Sequence, residues 1–318
     1  MQDSRPGRGC PVSYRYAPAD LARAAGLEAE TIYVIGGLYG NAPALACILE
    51  RAGHERVAVT LVFNGDFNWF NVDPEGFASV NEEVLRHVAL RGNVETEIAG
   101  DDAAAGCGCA YPDFVGNAEV ERSNRIIERL RETALAFPEL RSRIGALPAR
   151  LVAVVSGVRI GIVHGDAESL AGWGFSQELL REPARREAAA ARFAAADVRV
   201  YASSHSCLPV MQAFDTPRGR CVLANNGAAG MPNFSGSRHG LITRISAGAA
   251  PDALYGTTVD GVRVEALPVP YDHAAFERDF LAAWPAGSPA HASYYRRIVA
   301  GPDYRPADAL RLESPVAA

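Results

Sequence analysis

The chain has 318 residues, 48% hydrophobic and 21% charged, with 31 basic against 37 acidic side chains and a net charge of −6. These values describe a globular protein with ample material for a core, and the interspersed signs supply no basic face of the kind duplex nucleic acid requires. All 31 basic residues are arginine, which excludes chemistries built on a lysine amine: the P-loop, Schiff-base catalysis, protein-kinase phosphoryl transfer and the Ser-x-x-Lys acyl enzymes.

Residues 1–30 read as an irregular arm with a short helix near Pro18–Ala25. Its polar start, Met1–Arg8, carries no apolar run, so no signal peptide is expected and a cytoplasmic location follows. Thr31–Ile35 is a buried strand stopping at Gly36-Gly37, and Pro43–Arg51 a helix with proline in its first turn. Val57–Phe63 is a second strand ending at Asn64-Gly65-Asp66, Pro74–Leu85 a helix, and His87–Leu90 a third strand ending at Arg91-Gly92-Asn93. Asp101–Pro112 is a loop holding Cys107-Gly-Cys109, and Val120–Phe137 is helical. Arg150–Val155 and Val158–Val163 form a hairpin across Ser156-Gly157, ending at His164-Gly165-Asp166. Ser176–Leu180 and Ala184–Ala195 read as helices, and Val198–Ala202 as a strand ending at Ser203-Ser204-His205. Short strands follow near Pro209–Ala213 and Cys221–Ala224. Gly240–Ile245, Leu254–Val259 and Val262–Leu267 suggest a second sheet of hairpins, and from Tyr271 the chain is helical. The domain expected from this order spans 31–268, between the arm and a helical tail, 269–318. No apolar run is long enough to span a membrane. The six cysteines, at 10, 47, 107, 109, 207 and 221, form no disulfide-scaffold pattern.

Strand–helix alternation argues α/β, and in such sheets sites are built at the carboxyl ends of strands. Those ends present Tyr39 and Asn41, Asp66, Asn93, His164, and His205 with Cys207. Asp, Asn and His together are ligands for a borderline divalent metal such as Mn, Zn or Fe. Taken singly, each is also an ordinary turn residue.

In this order the blocks resemble the calcineurin-like metallophosphoesterases, in particular their bacterial phosphodiesterase branch, from about Thr31 to Ile245. IGGLYGNAPALACIL (35–49) is similar to the family's Asp-x-His-Gly-Asn block, FNGDFN (63–68) to Gly-Asp, and RGNVE (91–95) to Gly-Asn-His-Glu/Asp. IVHGD (162–166) matches the single-His block, SHSCLP (204–209) resembles Gly-His-x-His, and NNGAAGMP (225–232) the Asn-Pro-Gly-Ser segment. The resemblance implies an α/β sandwich of two mixed β-sheets flanked by helices.

It also implies two metal positions, which differ here. The ligands of one fall on Gly37, Tyr39, Asp66 and Cys207, so most of that set is lost. The ligands of the other fall on Asp66, Asn93, His164 and His205, all present, and imply one divalent ion. The family's usual leaving-group acid falls on Val94. Tyr39, Glu95 and Asp166 remain as catalytic candidates, and Asn41 and Asn68 as substrate-binding ones. Cys107, Cys109 and Cys207 either converge with Tyr39 as a rebuilt second site or pack as small buried side chains. Trp69, Phe70, Trp173 and Phe175 flank the blocks as an apolar wall or as packing beneath loops. The expected function is metal-dependent hydrolysis of a small phosphoester or nucleotide-like substrate. The alternatives are a non-catalytic binding or scaffold protein on the same fold, and non-hydrolytic chemistry at a single metal.

Overall fold

The computed structural model describes residues 5–312; the first four residues of the expected arm and the last six of the expected tail lie outside the described residues. The elements, in chain order, begin with α1 (Ala19–Arg23), β1 (Gly26–Ala29), β2 (Thr31–Ile35), α2 (Ala42–Gly53), β3 (Val59–Asn64), α3 (Pro74–Val84), β4 (Val88–Leu90), α4 (Asn93–Ala99), α5 (Asn117–Leu135) and α6 (Pro138–Gly145). The second half holds β5 (Arg150–Val155), β6 (Val158–Val163), α7 (Pro183–Ala196), β7 (Val200–Ser203), β8 (Val210–Thr216), β9 (Gly219–Asn225), β10 (Gly240–Ser246), β11 (Tyr255–Val259) and β12 (Val262–Val269). The chain closes with α8 (His273–Ala283), α9 (Pro289–Ala300), α10 (Pro306–Ala309) and β13 (Leu310–Arg311).

Two mixed sheets face one another. One has the order β11-β12-β10-β2-β3-β4, the other β1-β5-β6-β7-β9-β8-β13. Their facing surfaces are aliphatic: Ile32, Val34 and Val62 from one sheet meet Ile160, Ile162, Val200 and Val222 from the other. The outer faces are covered by helices, as Ile48 of α2, Phe77 of α3 and Ile127 of α5 close over the first sheet and Phe193 of α7 closes over the second. Burial on both faces explains why β2, β3 and β6 read as nearly continuous apolar runs. The fold is the α/β sandwich of two mixed sheets expected from the blocks.

Three parts of the expectation are revised. The hairpins at Gly240–Leu267 build no sheet of their own; β10 pairs antiparallel with β2 and extends the first sheet. The second sheet grows instead around the hairpin β5–β6. The N-terminal arm supplies an edge strand, since β1 pairs in parallel with β5, and the helical tail ends in β13, paired with β8. Ser176–Leu180 forms only the short 3-10 turn Leu179–Arg181, although Ser176 Oγ does accept from the Leu179 amide at 3.2 Å.

The strands β2, β3, β4, β6 and β7 bring their carboxyl ends to one rim, where backbones approach closely. A Cβ on Gly65, whose φ is +78°, would stand 2.6 Å from the Gly92 amide nitrogen and 2.6 Å from His164 Nδ1. A Cβ on Gly92 would meet the Asp66 carboxylate. Gly92→Ala is therefore expected to lower stability by about 1–3 kcal/mol through overpacking, read as a shifted urea midpoint. Gly53→Ala, which opens onto empty space within a helix, is expected to leave the midpoint unchanged or raise it slightly.

Candidate metal centre

Asp66 follows β3, Asn93 opens α4, His164 follows β6 and His205 follows β7. All four side chains are buried. His164 Nε2 lies 3.3 Å from Asp66 Oδ2, 3.2 Å from Asn93 Oδ1 and 3.2 Å from His205 Nδ1. Donors bound at about 2.0–2.2 Å to one cation stand roughly 3.0–3.5 Å apart around an octahedral or tetrahedral centre, so this spacing fits a single ion.

The other end of each group is engaged, and that engagement aims the inner atom. His164 Nδ1 donates to the Asn64 carbonyl at 2.8 Å, and His205 Nε2 to the Cys109 carbonyl at 3.0 Å. Asn93 Nδ2 donates to the Cys107 carbonyl at 2.9 Å, and Asp66 Oδ1 accepts from the Val94 amide at 3.2 Å. A carbonyl can only accept, so each neutral imidazole carries its proton outward and turns a bare lone pair inward. Two nitrogen lone pairs, an amide oxygen and a carboxylate oxygen then face one another with no hydrogen between them. A bound cation relieves that arrangement, as does a proton taken up on His164 Nε2. Burial opposes protonation of His164, but the Asp66 charge and hydrogen bond outweigh it and raise its pKa. Burial and the neighbouring His164 push His205 down to about 4. Among the described residues, Asp66, His164 and His205 are the only group of three or more His, Cys, Asp or Glu side chains whose ligand atoms lie within 4.8 Å of one another.

Glu95 fixes this rim. Its carboxylate accepts from the amides of Asp66 at 2.6 Å, Phe67 at 3.0 Å and Gly92 at 3.0 Å, and from Asn68 Nδ2 at 3.3 Å. Burial, then the Asp66 charge, raises its pKa to about 7. It braces the backbone from which Asp66 projects, at a φ of +53°. Asp166 has a similar duty in another loop, accepting from the Glu168, Ser169 and Gly174 amides. Asn41 caps α2 through the Ala44 amide and donates to the Gly230 carbonyl. Asn68 exchanges hydrogen bonds with Asn81. The polar atoms of these four side chains are thus engaged with the protein rather than presented to a ligand.

The positions that match the other metal take a different form. A Cβ on Gly37 would lie 2.8 Å from Tyr39 Cζ, so the phenol ring stands where a side chain at 37 would go. The Tyr39 hydroxyl hydrogen-bonds Cys207 Sγ at 3.0 Å, and burial raises both their pKa values. Cys109 and Cys207 line a small chamber beside the donors, whereas Cys107 does not; its carbonyl orients Asn93. Among the described residues, the Sγ atoms of Cys107, Cys109 and Cys207 do not all lie within 4.8 Å of one another.

The chamber has a volume of about 40 Å³. Trp69 and Trp173 form part of its wall, joined by Tyr111 and Tyr294; Phe70 lies behind them against Phe280, and Phe175 packs under α7. Tyr294 comes from α9 and carries no local signal of this role in the sequence. Arg91 turns away to the Gly145 carbonyl. The arginine near the site is Arg297, also on α9, which donates to the carbonyls of Cys207 and Pro232.

No family model and no curated protein matches the sequence. Solved structures do. A metallophosphoesterase from Sphaerobacter thermophilus is 18% identical with a TM-score of 0.52, over 86% of this chain and 100% of that one. A hypothetical protein from Pyrococcus horikoshii OT3 is 18% identical with a TM-score of 0.59, over 86% of this chain and 99% of that one. The chain has the calcineurin-like metallophosphoesterase fold.

Glu95→Gln places an amide NH2 against backbone N–H donors. It is expected to cost about 2–4 kcal/mol of stability, since a buried charged acceptor is lost, measured by urea unfolding of metal-free protein.

Proposed function

We propose that the protein is a metal-dependent phosphoester hydrolase with a mononuclear site, the ion held by Asp66, Asn93, His164 and His205. The observation that carries this reading is the set of four inward lone-pair donors, each aimed by a hydrogen bond at its far end. Outer partners of this kind are what set the tautomer and direction of metal ligands. The single-ion count is supported by the Tyr39 ring beside Gly37 and its bond to Cys207.

When bound, such an ion polarises a phosphoryl oxygen and lowers the pKa of its water. The residues of the chain hold and exclude. Val94, 1% exposed, offers no proton where the leaving group would depart. Substrates whose leaving group is already a weak base, such as aryl phosphodiesters, are therefore favoured. A space of about 40 Å³ holds roughly one water, so the wall must part to admit a phosphoester. Trp173 is a wall residue whose hydrogen bond can be released without orphaning its acceptor. Its Nε1 donates to the Cys109 carbonyl at 2.9 Å, and His205 donates to that same oxygen. When the indole leaves, the carbonyl keeps a partner and no buried acceptor is orphaned.

The small size of the chamber favours a second reading, a fold that binds the ion without turnover. Protein purified without a histidine tag is expected to carry one divalent ion per chain and to hydrolyse an aryl phosphodiester with Mn, Zn or Fe. His164→Ala should lower both ion content and rate by at least about 10-fold. Bound metal without turnover selects the second reading, and protein that takes up no metal from any of the three salts overturns both. Gly37→Asp combined with Tyr39→His and Cys207→His is expected to raise the ion content above one per chain by elemental analysis. An unchanged count in folded protein would remove the argument for a plugged second position.

A further inference from the structure

On the second sheet a separate cleft of about 590 Å³ opens between the turn Leu179–Arg181, α7, and the edge strands β8 and β13. Arg181, Arg186 and Arg311 reach it from three different elements. Arg181 and Arg311 are held together by one atom. Arg181 Nη2 and Arg311 Nη2 both donate to Gln177 Oε1, at 3.2 and 3.0 Å. Among the described residues, no carboxylate stands within ion-pair distance of either guanidinium or of Arg186, although Glu187 and Asp215 lie elsewhere on the wall.

Arg311 also donates to the carbonyls of Asp308 and Gln177, at 3.1 and 2.9 Å; all these acceptors are neutral and leave the two positive charges uncompensated. Burial, with the charge of Arg181 adding to it, depresses the Arg311 pKa despite the nearby Glu178 and Tyr304. The opposite wall carries a second unmet demand. Gln212 is 5% exposed, and its Oε1, an acceptor, has no hydrogen-bond partner among the described residues; it calls for a donor on the body of a ligand and not for its oxyanion. Buried amide groups without partners are uncommon and call for an explanation. Beside these polar groups the cleft is apolar, with Leu180 and Phe214 on its wall. Its volume lies within the range of small-molecule sites.

We propose that this cleft is a binding site for a phosphorylated small molecule, its oxyanion among Arg181, Arg186 and Arg311 and its apolar body on Leu180 and Phe214. Guanidinium forks match phosphate oxygens in bidentate fashion, and three cations suit a dianion better than a carboxylate. The site stands apart from the metal donors and does not depend on the reading of their chemistry.

The test is calorimetric titration of chelator-treated protein with phenyl phosphate, inorganic phosphate and phenylacetate. Phenyl phosphate is expected to bind saturably, about 10-fold tighter than inorganic phosphate, with phenylacetate weakest. Arg311→Gln should weaken it at least 10-fold. Arg186→Gln, whose parent side chain makes no hydrogen bond or ion pair among the described residues, should weaken it several-fold at an unchanged melting temperature. His164→Ala should leave it unaltered. Equal affinity in wild type and both arginine variants, loss of binding in His164→Ala, or the absence of saturable binding overturns the proposal. Phenylacetate binding as tightly as phenyl phosphate overturns the phosphate assignment.

Discussion

The rim at the carboxyl ends of the strands depends on one buried carboxylate. Glu95 gathers the amides of Asp66, Phe67 and Gly92, and so ties the end of β3 to the start of α4. That tie keeps Asp66 in a left-handed backbone conformation that a non-glycine residue rarely adopts. It also brings the Val94 amide to Asp66 Oδ1, which leaves Oδ2 to face His164. The remaining donors are aimed by carbonyls that accept and nothing else. With both imidazoles neutral, inward lone pairs repel one another, which a proton on His164 or a bound cation relieves; the outer bonds hold the geometry because each is buried and would be orphaned by release.

The departures around Gly37 form one unit rather than separate losses. The Tyr39 ring fits only because residue 37 has no side chain, and its hydroxyl finds a buried partner only because residue 207 is cysteine. Tyr39 and Cys207 both hold positive φ, +58° and +62°, and strain at such positions persists where the surroundings over-determine the backbone. Arg297 contributes to that surrounding by bonding the Cys207 carbonyl from α9. In a chain without lysine, this guanidinium is a positive charge the fold brings to the side of Tyr39 and Cys207.

The strands and their polar ends were legible because burial on both faces writes an apolar run and the close rim writes glycine after it, as at Gly65 and Gly92. Sheet membership was not. That β10 joins β2 is a register between segments about two hundred residues apart, which no local pattern encodes. Nor does residue type separate a ligand from a cap. Asn68 shares a block with Asp66, Glu95 with Asn93, Asp166 with His164 and Asn41 with Tyr39, but the oxygens of these four serve backbone amides or other side chains. The helix α4 escaped notice because it spans only seven residues and begins at a proposed ligand. Tyr294 and Arg297 approach from α9, where helical periodicity describes packing and not what the far end of a side chain meets.

The proposed chemistry follows from what surrounds the donors as much as from the donors themselves. Trp69, Tyr111, Trp173 and Tyr294 replace water around them with aromatic surface, and in such a medium each charge acts more strongly than in solvent. Hydrolysis needs two things there, a polarised phosphoryl group and a route for the leaving oxygen's proton. In the proposed reading a single ion would supply the first. The second has no evident donor, since Val94 is apolar and burial, reinforced by neighbouring anions, keeps the Tyr39 phenol from ionising and bonded to sulfur. In the proposed reading, rate at this site would therefore be governed by the basicity of the departing oxygen, and the absence of a leaving-group acid would restrict the substrate more than the absence of a second ion.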